Sequence, residues 1–156
     1  MIRIGLISDT HGLLRDEAVA ALDGCHHILH AGDIDTPEVL ARLRRLAPVT
    51  AVRGNNDRGS WAAEIPAYEI VEFGAVSIYV RHDESELDID PVGAGIQVMV
   101  FGHSHKPAVE RRNGVLLVNP GSAGPRRFKL PVAVAELTIA GARVDARIIE
   151  LAITSA

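Results

Sequence analysis

Five short segments of this chain place histidine, aspartate and asparagine directly after apolar runs. They are Asp9-Thr10-His11, Gly32-Asp33, Gly54-Asn55-Asn56-Asp57, His82-Asp83 and Gly102-His103-Ser104-His105. Imidazole, carboxylate and side-chain amide together form a ligand set for a borderline-hard divalent ion such as Mn²⁺, Fe²⁺, Zn²⁺ or Co²⁺. Asp9 and His11 are two residues apart, as are His103 and His105, and in extended chain that spacing aims both side chains the same way. The single cysteine, Cys25, excludes an internal disulfide, a thiolate zinc site and a CxxC redox pair. Each segment alone has an ordinary explanation: a DxH as a cap, a GD as a turn, a lone histidine as a solvated side chain. All five in this order, each at the end of an apolar run, form a far more specific signal. Seven histidines against three Phe, two Tyr and one Trp skew the chain toward ligands rather than stacking platforms.

The elements that must position these groups follow from hydrophobic patterning. The first half reads as alternating strand and helix: strand Ile2–Ser8, helix Asp16–Leu22, strand His26–His30, a helix after Thr36-Pro37 with Val39, Leu40, Leu43 and Leu46 on one face, and strand Val49–Val52. The second half reads as strands over Ala67–Phe73, Val76–Arg81, Gln97–Phe101, Ala108–Arg111, Val115–Val118, Val132–Ile139 and Arg143–Leu151. Asn113-Gly114 is a hairpin turn signal, and Asp83–Ile96 reads as an acidic, then Pro- and Gly-bearing loop with at most one helical turn. Two sheets packed together with helices outside are expected. In such α/β arrangements the crevice outside the carboxyl ends of the strands collects segments distant in sequence.

Bulk properties narrow the function classes. The 156 residues suggest one domain, 1–156, long enough to bury a core without staples. A formal charge of −4 argues against general nucleic-acid binding, and 47% hydrophobic residues argue against overall disorder. The amino-terminal run turns polar at Ser8, too early for a signal peptide, and no apolar run is long enough to span a membrane. With its lone cysteine, the chain is expected to be cytoplasmic. No P-loop, GxGxxG, HExxH or GxSxG motif occurs.

In the order D-x-H, GD, GN-x-D, a strand-end His and GH-x-H, the sequence resembles the calcineurin-like metallophosphoesterase superfamily, most closely its small single-domain bacterial and archaeal phosphodiesterase branch. Asn119-Pro120-Gly121-Ser122 and Pro125-Arg126 also look like that branch. The resemblance implies an α/β four-layer α/β/β/α sandwich, two mixed sheets face to face with helices outside. It implies a two-metal site in which Asp9, His11 and His105 hold one ion, Asn55, His82 and His103 hold the other, and Asp33 bridges them. Asp33, Asn55 and His105 stand as the catalytic residues. Two cations about 3.5–4 Å apart need a shared anion, and the bridging hydroxide they generate near neutral pH is the implied nucleophile toward phosphorus. The expected ions are two Mn²⁺, with Fe, Zn, Co or Ni as alternatives. The expected substrate is a small-molecule or nucleotide phosphodiester. A phosphomonoester or nucleotide phosphatase is the enzymatic alternative. A non-catalytic protein-binding scaffold, as in the retromer subunit of this fold, is the other. A homo-oligomer is compatible with all three.

Three positions depart from the family pattern. Asp83 follows His82 where the family has Gly, read as a solvated loop-tip residue or, alternatively, as an altered turn or extra carboxylate near the second metal. Asn56 replaces the His proposed as general acid in many relatives, leaving the leaving group without an obvious imidazole. Asp83–Ile96 looks too poor in helix to supply a full outer helix. Of the remaining residues, Asp57 could orient His11 or stabilise its turn. His30 could support the site or simply be a buried strand-end residue. Arg126 and Arg127 could bind phosphate or be solvated, and His26 and His27 are read as surface residues at a strand start.

Overall fold

The computed structural model describes residues 1–127 and 129–153. Among them the chain forms strands β1 (Ile2–Ile7), β2 (His27–His30), β3 (Val49–Ala51), β4 (Tyr68–Phe73), β5 (Val76–Arg81), β6 (Val98–Val100), β7 (Ala108–Arg112), β8 (Val115–Asn119), β9 (Ala133–Ala140) and β10 (Arg143–Glu150). Helices are α1 (Asp16–Leu22), α2 (Pro37–Leu43) and the short α3 (Ser60–Ala63). Most boundaries expected from patterning hold within a residue or so, whereas α3 carries no apolar periodicity of its own and went unforeseen. Pro37 sits in the first turn of α2 behind Thr36, whose backbone has the extended N-cap conformation but whose hydroxyl makes no capping bond. Leu46 packs with the helix face from beyond the helix end.

One sheet has the order β10-β9-β1-β2-β3, the other β4-β5-β6-β8-β7. Both are mixed: β1, β2 and β3 run parallel, as do β5, β6 and β8, while β9, β10, β4 and β7 attach antiparallel. Strand periodicity decides the layers. Ile4, Leu6, Leu29, Leu137, Ile78, Val80, Val98, Val100, Leu116 and Val118 point between the sheets and form the main core. Their neighbours Ile7, Ile28 and Val134 point outward under α1 and α2 against Ala18, Leu22, Val39, Leu40 and Leu43. On the far side, Tyr79, Met99, Phe101, Val115 and Leu117 point out of the second sheet. A segment with a single 3-10 turn (Glu84–Glu86), through Leu87, Ile89 and Ile96, covers them. The fourth layer is therefore irregular, as the helix-poor composition of that stretch suggested. β7 and β8 are joined through Asn113 and Gly114, both at positive φ (53° and 79°), the twist-matched two-residue hairpin turn. No helix among the described residues is long and apolar enough to cross a membrane.

The functional consequence lies at one edge. Because β1, β2 and β3 are parallel, the segments starting at Ser8, Ala31 and Val52 leave that sheet on the same side. The parallel β5 and β6 deliver His82 and the Gly102–His105 corner from the facing sheet.

Candidate metal centre

The loops are locked to one another by backbone bonds. The amides of Asp9, His11 and Gly12 donate to the carbonyls of Gly32, Asp33 and Ile34, at 2.9, 2.9 and 2.8 Å. The Gly102 amide donates to the His82 carbonyl at 2.9 Å, tying the two corners of the second sheet together. The Asn119–Gly124 segment braces the end of β1: Ser122 Oγ donates to the Asp9 carbonyl (3.0 Å) and the Ala123 amide to the Ser8 carbonyl (3.1 Å). This crowding explains two glycines. A Cβ at Gly54 would sit 2.2 Å from both the amide nitrogen and Oδ1 of Asp33, and one at Gly102 would sit 2.1 Å from Ser8 Oγ. Backbone strain concentrates here as well. Of seven non-glycine residues at positive φ among those described, six are Asp9, His11, Asp33, Asp35, His103 and His105, the kind of clustering found where a site dictates backbone geometry.

Five of the expected ligands converge. Atoms of Asp9, His11 and His105 lie within 4.8 Å of one another, and so do atoms of Asp9, Asp33 and His82. Asp9, Asp33 and His82 each spend one polar atom on the protein and present the other, whereas His105 presents Nε2 and leaves a buried Nδ1 without a partner. Asp9 Oδ2 accepts from Ser8 Oγ (2.7 Å) and the His103 amide (3.1 Å). Asp9 Oδ1, fully buried, has no hydrogen-bond partner and lies 3.3 Å from His105 Nε2, 3.8 Å from His11 Nε2 and 3.9 Å from His82 Nε2. Asp33 Oδ1 accepts from the Asn56 amide (2.9 Å), while Oδ2 faces His82 Nε2 at 3.2 Å and His11 Nε2 at 3.8 Å. His82 Nδ1 is 2.8 Å from the Ala31 carbonyl, which can only accept, so the ring proton is on Nδ1 and Nε2 is left unpartnered and buried. His11 Nδ1 faces Asp35 Oδ2 at 3.3 Å, and its Nε2 meets His105 Nε2 at 3.4 Å.

Charge reinforces the grouping. Burial pushes the Asp33 carboxyl up, but the His82 imidazole, the Asn56 amide and His11 outweigh it and bring its pKa down to about 2. Burial pushes His82 down, and the carboxylates of Asp33 and Asp9 with the Ala31 carbonyl reverse that, leaving its pKa raised. Asp9 Oδ1 and His82 Nε2, buried without hydrogen-bond partners among the converging groups, fit a divalent cation and are costly without one.

His103 and Asn55 stand outside the two triads. His103 is about half exposed (48%), its ring edge-on to His82 with centroids 5.2 Å apart and its Nε2 3.8 Å from Asp83 Oδ2. Asn55 lies exposed in the turn after β3, whose next residue, Asn56, binds Asp33 through its backbone. Asp57 does not orient His11. Its Oδ1 accepts from the Ile34 and Asp35 amides and its Oδ2 from the Gly54 amide, each at 2.8 Å, so it clamps the β2 and β3 loops together. The carboxylate beside His11 Nδ1 is Asp35, which the sequence reading missed because nothing in a GDID run separates it from a turn residue. Arg126 is exposed and donates through Nε to the Leu130 carbonyl (3.3 Å) rather than joining the ligands. His26 is exposed and accepts the Arg3 amide on Nδ1, whereas His27 is half-buried against Phe73 and bonded to Thr50.

The chain belongs to the calcineurin-like phosphoesterase superfamily, whose domain model matches residues 2–141. It is 36% identical to a probable metallophosphoesterase of Methanothermobacter thermautotrophicus, over 94% of this chain and 91% of that protein. It is 27% identical to a phosphodiesterase of Methanocaldococcus jannaschii, over 77% of this chain and 83% of that protein. Its fold matches an archaeal phosphodiesterase structure (TM-score 0.78, 22% identity, 95% and 100% of the two chains). It also matches Vps29 of Entamoeba histolytica in complex with Zn²⁺ (TM-score 0.77, 20% identity, 96% and 99%).

His30 supports this architecture from beneath. Fully buried, its Nδ1 accepts the Gly32 amide (3.1 Å), which leaves the proton on Nε2 to donate to Thr10 Oγ1 (3.0 Å). Thr10 in turn donates to the Ile34 carbonyl (3.3 Å). Burial lowers the His30 pKa from 6.5 to about 3. Below pH 6.5 the unfolded chain takes up a proton there that the folded chain refuses, so stability falls as pH drops through this window. Urea unfolding is expected to show the wild type losing about 2 kcal/mol more than His30→Gln between about pH 7 and pH 5. Equal losses would contradict a neutral, locked His30.

Proposed function

We propose that this protein is a dinuclear, metal-dependent phosphodiesterase. The observation that carries the reading is the pair of buried, unpartnered atoms Asp9 Oδ1 and His82 Nε2 at the centre of the converging carboxylates and imidazoles. In the proposed ligand set, Asp9, His11 and His105 take one ion and Asn55, His82 and His103 the other. Asp33 serves both, its Oδ2 facing one imidazole of each group. Two divalent ions, Mn²⁺ in this proposal, supply Lewis acidity and an acidified water when bound. The chain's own contribution is placement. Ser8 and the His103 amide fix Asp9, the Asn56 amide fixes Asp33, and the Ala31 carbonyl fixes the His82 tautomer. Asp33, Asn55 and His105 stand closest to the reacting phosphoryl group in this reading. The substrate is a small-molecule or nucleotide phosphodiester, and the setting is the cytoplasm. Five expected ligands brought together support this reading over a protein-binding scaffold.

Two outcomes test it. With Mn²⁺, bis-aryl phosphodiesters are expected to turn over faster than aryl monoesters. Asp33→Asn is expected to abolish most turnover, since it weakens the group facing both sets, while His26→Ala leaves turnover unchanged. Equal effects of the two substitutions, or monoester preference, would contradict the proposal. The second outcome concerns the leaving group. Asn56 offers no imidazole at the position where many relatives carry the acid, and a positioned acid contributes about 10²–10⁴-fold, most for basic leaving groups. For substituted aryl diesters, log kcat/KM is expected to fall steeply with rising leaving-group pKa. A flat plot would mean an efficient acid is present.

A further inference from the structure

Four carboxylates, Asp83, Glu84, Glu86 and Asp88, stand in the six residues after His82, and they are not equivalent. Three face guanidinium groups. Glu84 Oε2 lies 3.0 Å from Arg112 Nη1, Glu86 Oε2 3.6 Å from Arg81 Nη2 and Asp88 Oδ1 3.7 Å from Arg81 Nη1. Among the described residues the Asp83 carboxylate meets no Lys or Arg, only the His103 ring, whose Nε2 is 3.8 Å from Oδ2. That separation is too long for a hydrogen bond and short enough for charge to be felt across it. Asp83 is also fixed in place. Its Oδ1 accepts from the Ser85 amide (3.0 Å) and the Ser85 hydroxyl (2.9 Å), capping the 3-10 turn Glu84–Glu86. Both donors are neutral and favour the ionised form, so the whole negative charge stays on the carboxylate. Its place is the lip of the metal centre. The preceding residue, His82, buries its ring among the converging ligands, and His103 stands edge-on to that ring with centroids 5.2 Å apart.

We propose that Asp83 is a specificity-determining residue: its uncompensated negative charge at the lip of the metal centre disfavours dianionic phosphomonoesters and leaves monoanionic phosphodiesters as the preferred substrates. The inference rests on the phosphodiesterase reading above and names the group that enforces it. Cations in the centre attract an oxyanion in proportion to its charge and so draw a dianion harder. A fixed carboxylate beside the entrance opposes both in the same proportion. A phosphomonoester is dianionic above its second pKa of about 6, whereas a diester carries one charge. Unit charges a few ångströms apart at a water-like dielectric change an equilibrium by about fivefold. Removing the Asp83 charge is therefore expected to help a diester about fivefold and a monoester about 25-fold, the square of that gain.

The experiment compares wild type, Asp83→Asn, Asp83→Ser and Asp145→Asn as Mn²⁺-loaded full chains. Asn and Ser both keep a capping acceptor without the charge, so the second covers the case in which the first does not fold. Asp145 lies on β10 across from Thr138, level with the start of β1 and so at the opposite edge of the sheet; its substitution makes the same change in net charge far from the centre. For a bis-aryl diester and the matching aryl monoester, the ratio of kcat/KM values is expected to fall about fivefold in both Asp83 variants and to stay as in wild type for Asp145→Asn. Calorimetry adds a readout independent of turnover. At about pH 8, inorganic phosphate, mostly dianionic, is expected to gain more affinity in the Asp83 variants than dimethyl phosphate, a monoanion. Equal gains for the two charge classes, or no gain for either, in an active enzyme would overturn this inference alone. So would an Asp145→Asn effect as large as that of Asp83→Asn. A wild type that neither turns over the esters nor binds the anions would overturn the phosphodiesterase reading and this inference with it.

Discussion

Two carboxylates, Asp9 and Asp33, are withdrawn almost completely from water at the edge where the sheets meet, in contact with three imidazoles. Taking ions out of water costs several kcal/mol each unless partners compensate. The protein compensates only half of each group. One oxygen of Asp9 is held by Ser8 and the His103 amide and one of Asp33 by the Asn56 amide, while the other oxygens face ring nitrogens without full hydrogen-bonding partners. Half-satisfied buried charges of this kind mark a candidate cation site more sharply than the identity of any single ligand, because Asp9 Oδ1 and His82 Nε2 are left without partners among the same converging groups.

Much of the remaining structure follows from that requirement. Groups from four separate segments can converge only if loops pack backbone against backbone, which leaves no room for a Cβ at Gly54 or Gly102 and accompanies left-handed conformations at Asp9, His11, Asp33 and His105. Strain of about 1–3 kcal/mol per such residue persists only in a surrounding that over-determines it. Here the surrounding is the mutual ladder between the Asp9–Gly12 and Gly32–Ile34 loops, the Asp57 clamp and the neutral His30 below. The two-sheet core supplies the rigid frame, since parallel strands from both sheets release their ligand loops at the same edge.

The candidate ligands stood out in the sequence because their chemistry and position coincide: five apolar runs in order end in His, Asp or Asn, and the structure brings Asp9, His11, Asp33, His82 and His105 together. The layers were legible because strand alternation survives intact, as in Ile78, Tyr79 and Val80 turning to opposite faces. The supporting residues were not. Ser8 reads as the last residue of a strand, Asp35 as a turn residue and Asp57 as either an orienting or a turn-stabilising group, and only the packed structure shows that Asp35 lies beside His11 while Asp57 ties three amides. His30 could be recognised as a buried strand-end residue, but its fixed tautomer depends on Gly32 and Thr10 being brought to it. The short α3, four residues long, offers too few positions to show any period.

The central claim, that this edge exists to hold two cations, is tested most directly by elemental analysis of the metal-free chain after reconstitution with Mn²⁺ and removal of excess ion, with thermal unfolding recorded on the same samples. The account expects about two ions per chain and a Tm that rises with Mn²⁺ concentration, because ions that bind only the folded state stabilise it. A stoichiometry near zero in a chain whose circular dichroism shows the native fold intact, with a Tm indifferent to the metal, would contradict it.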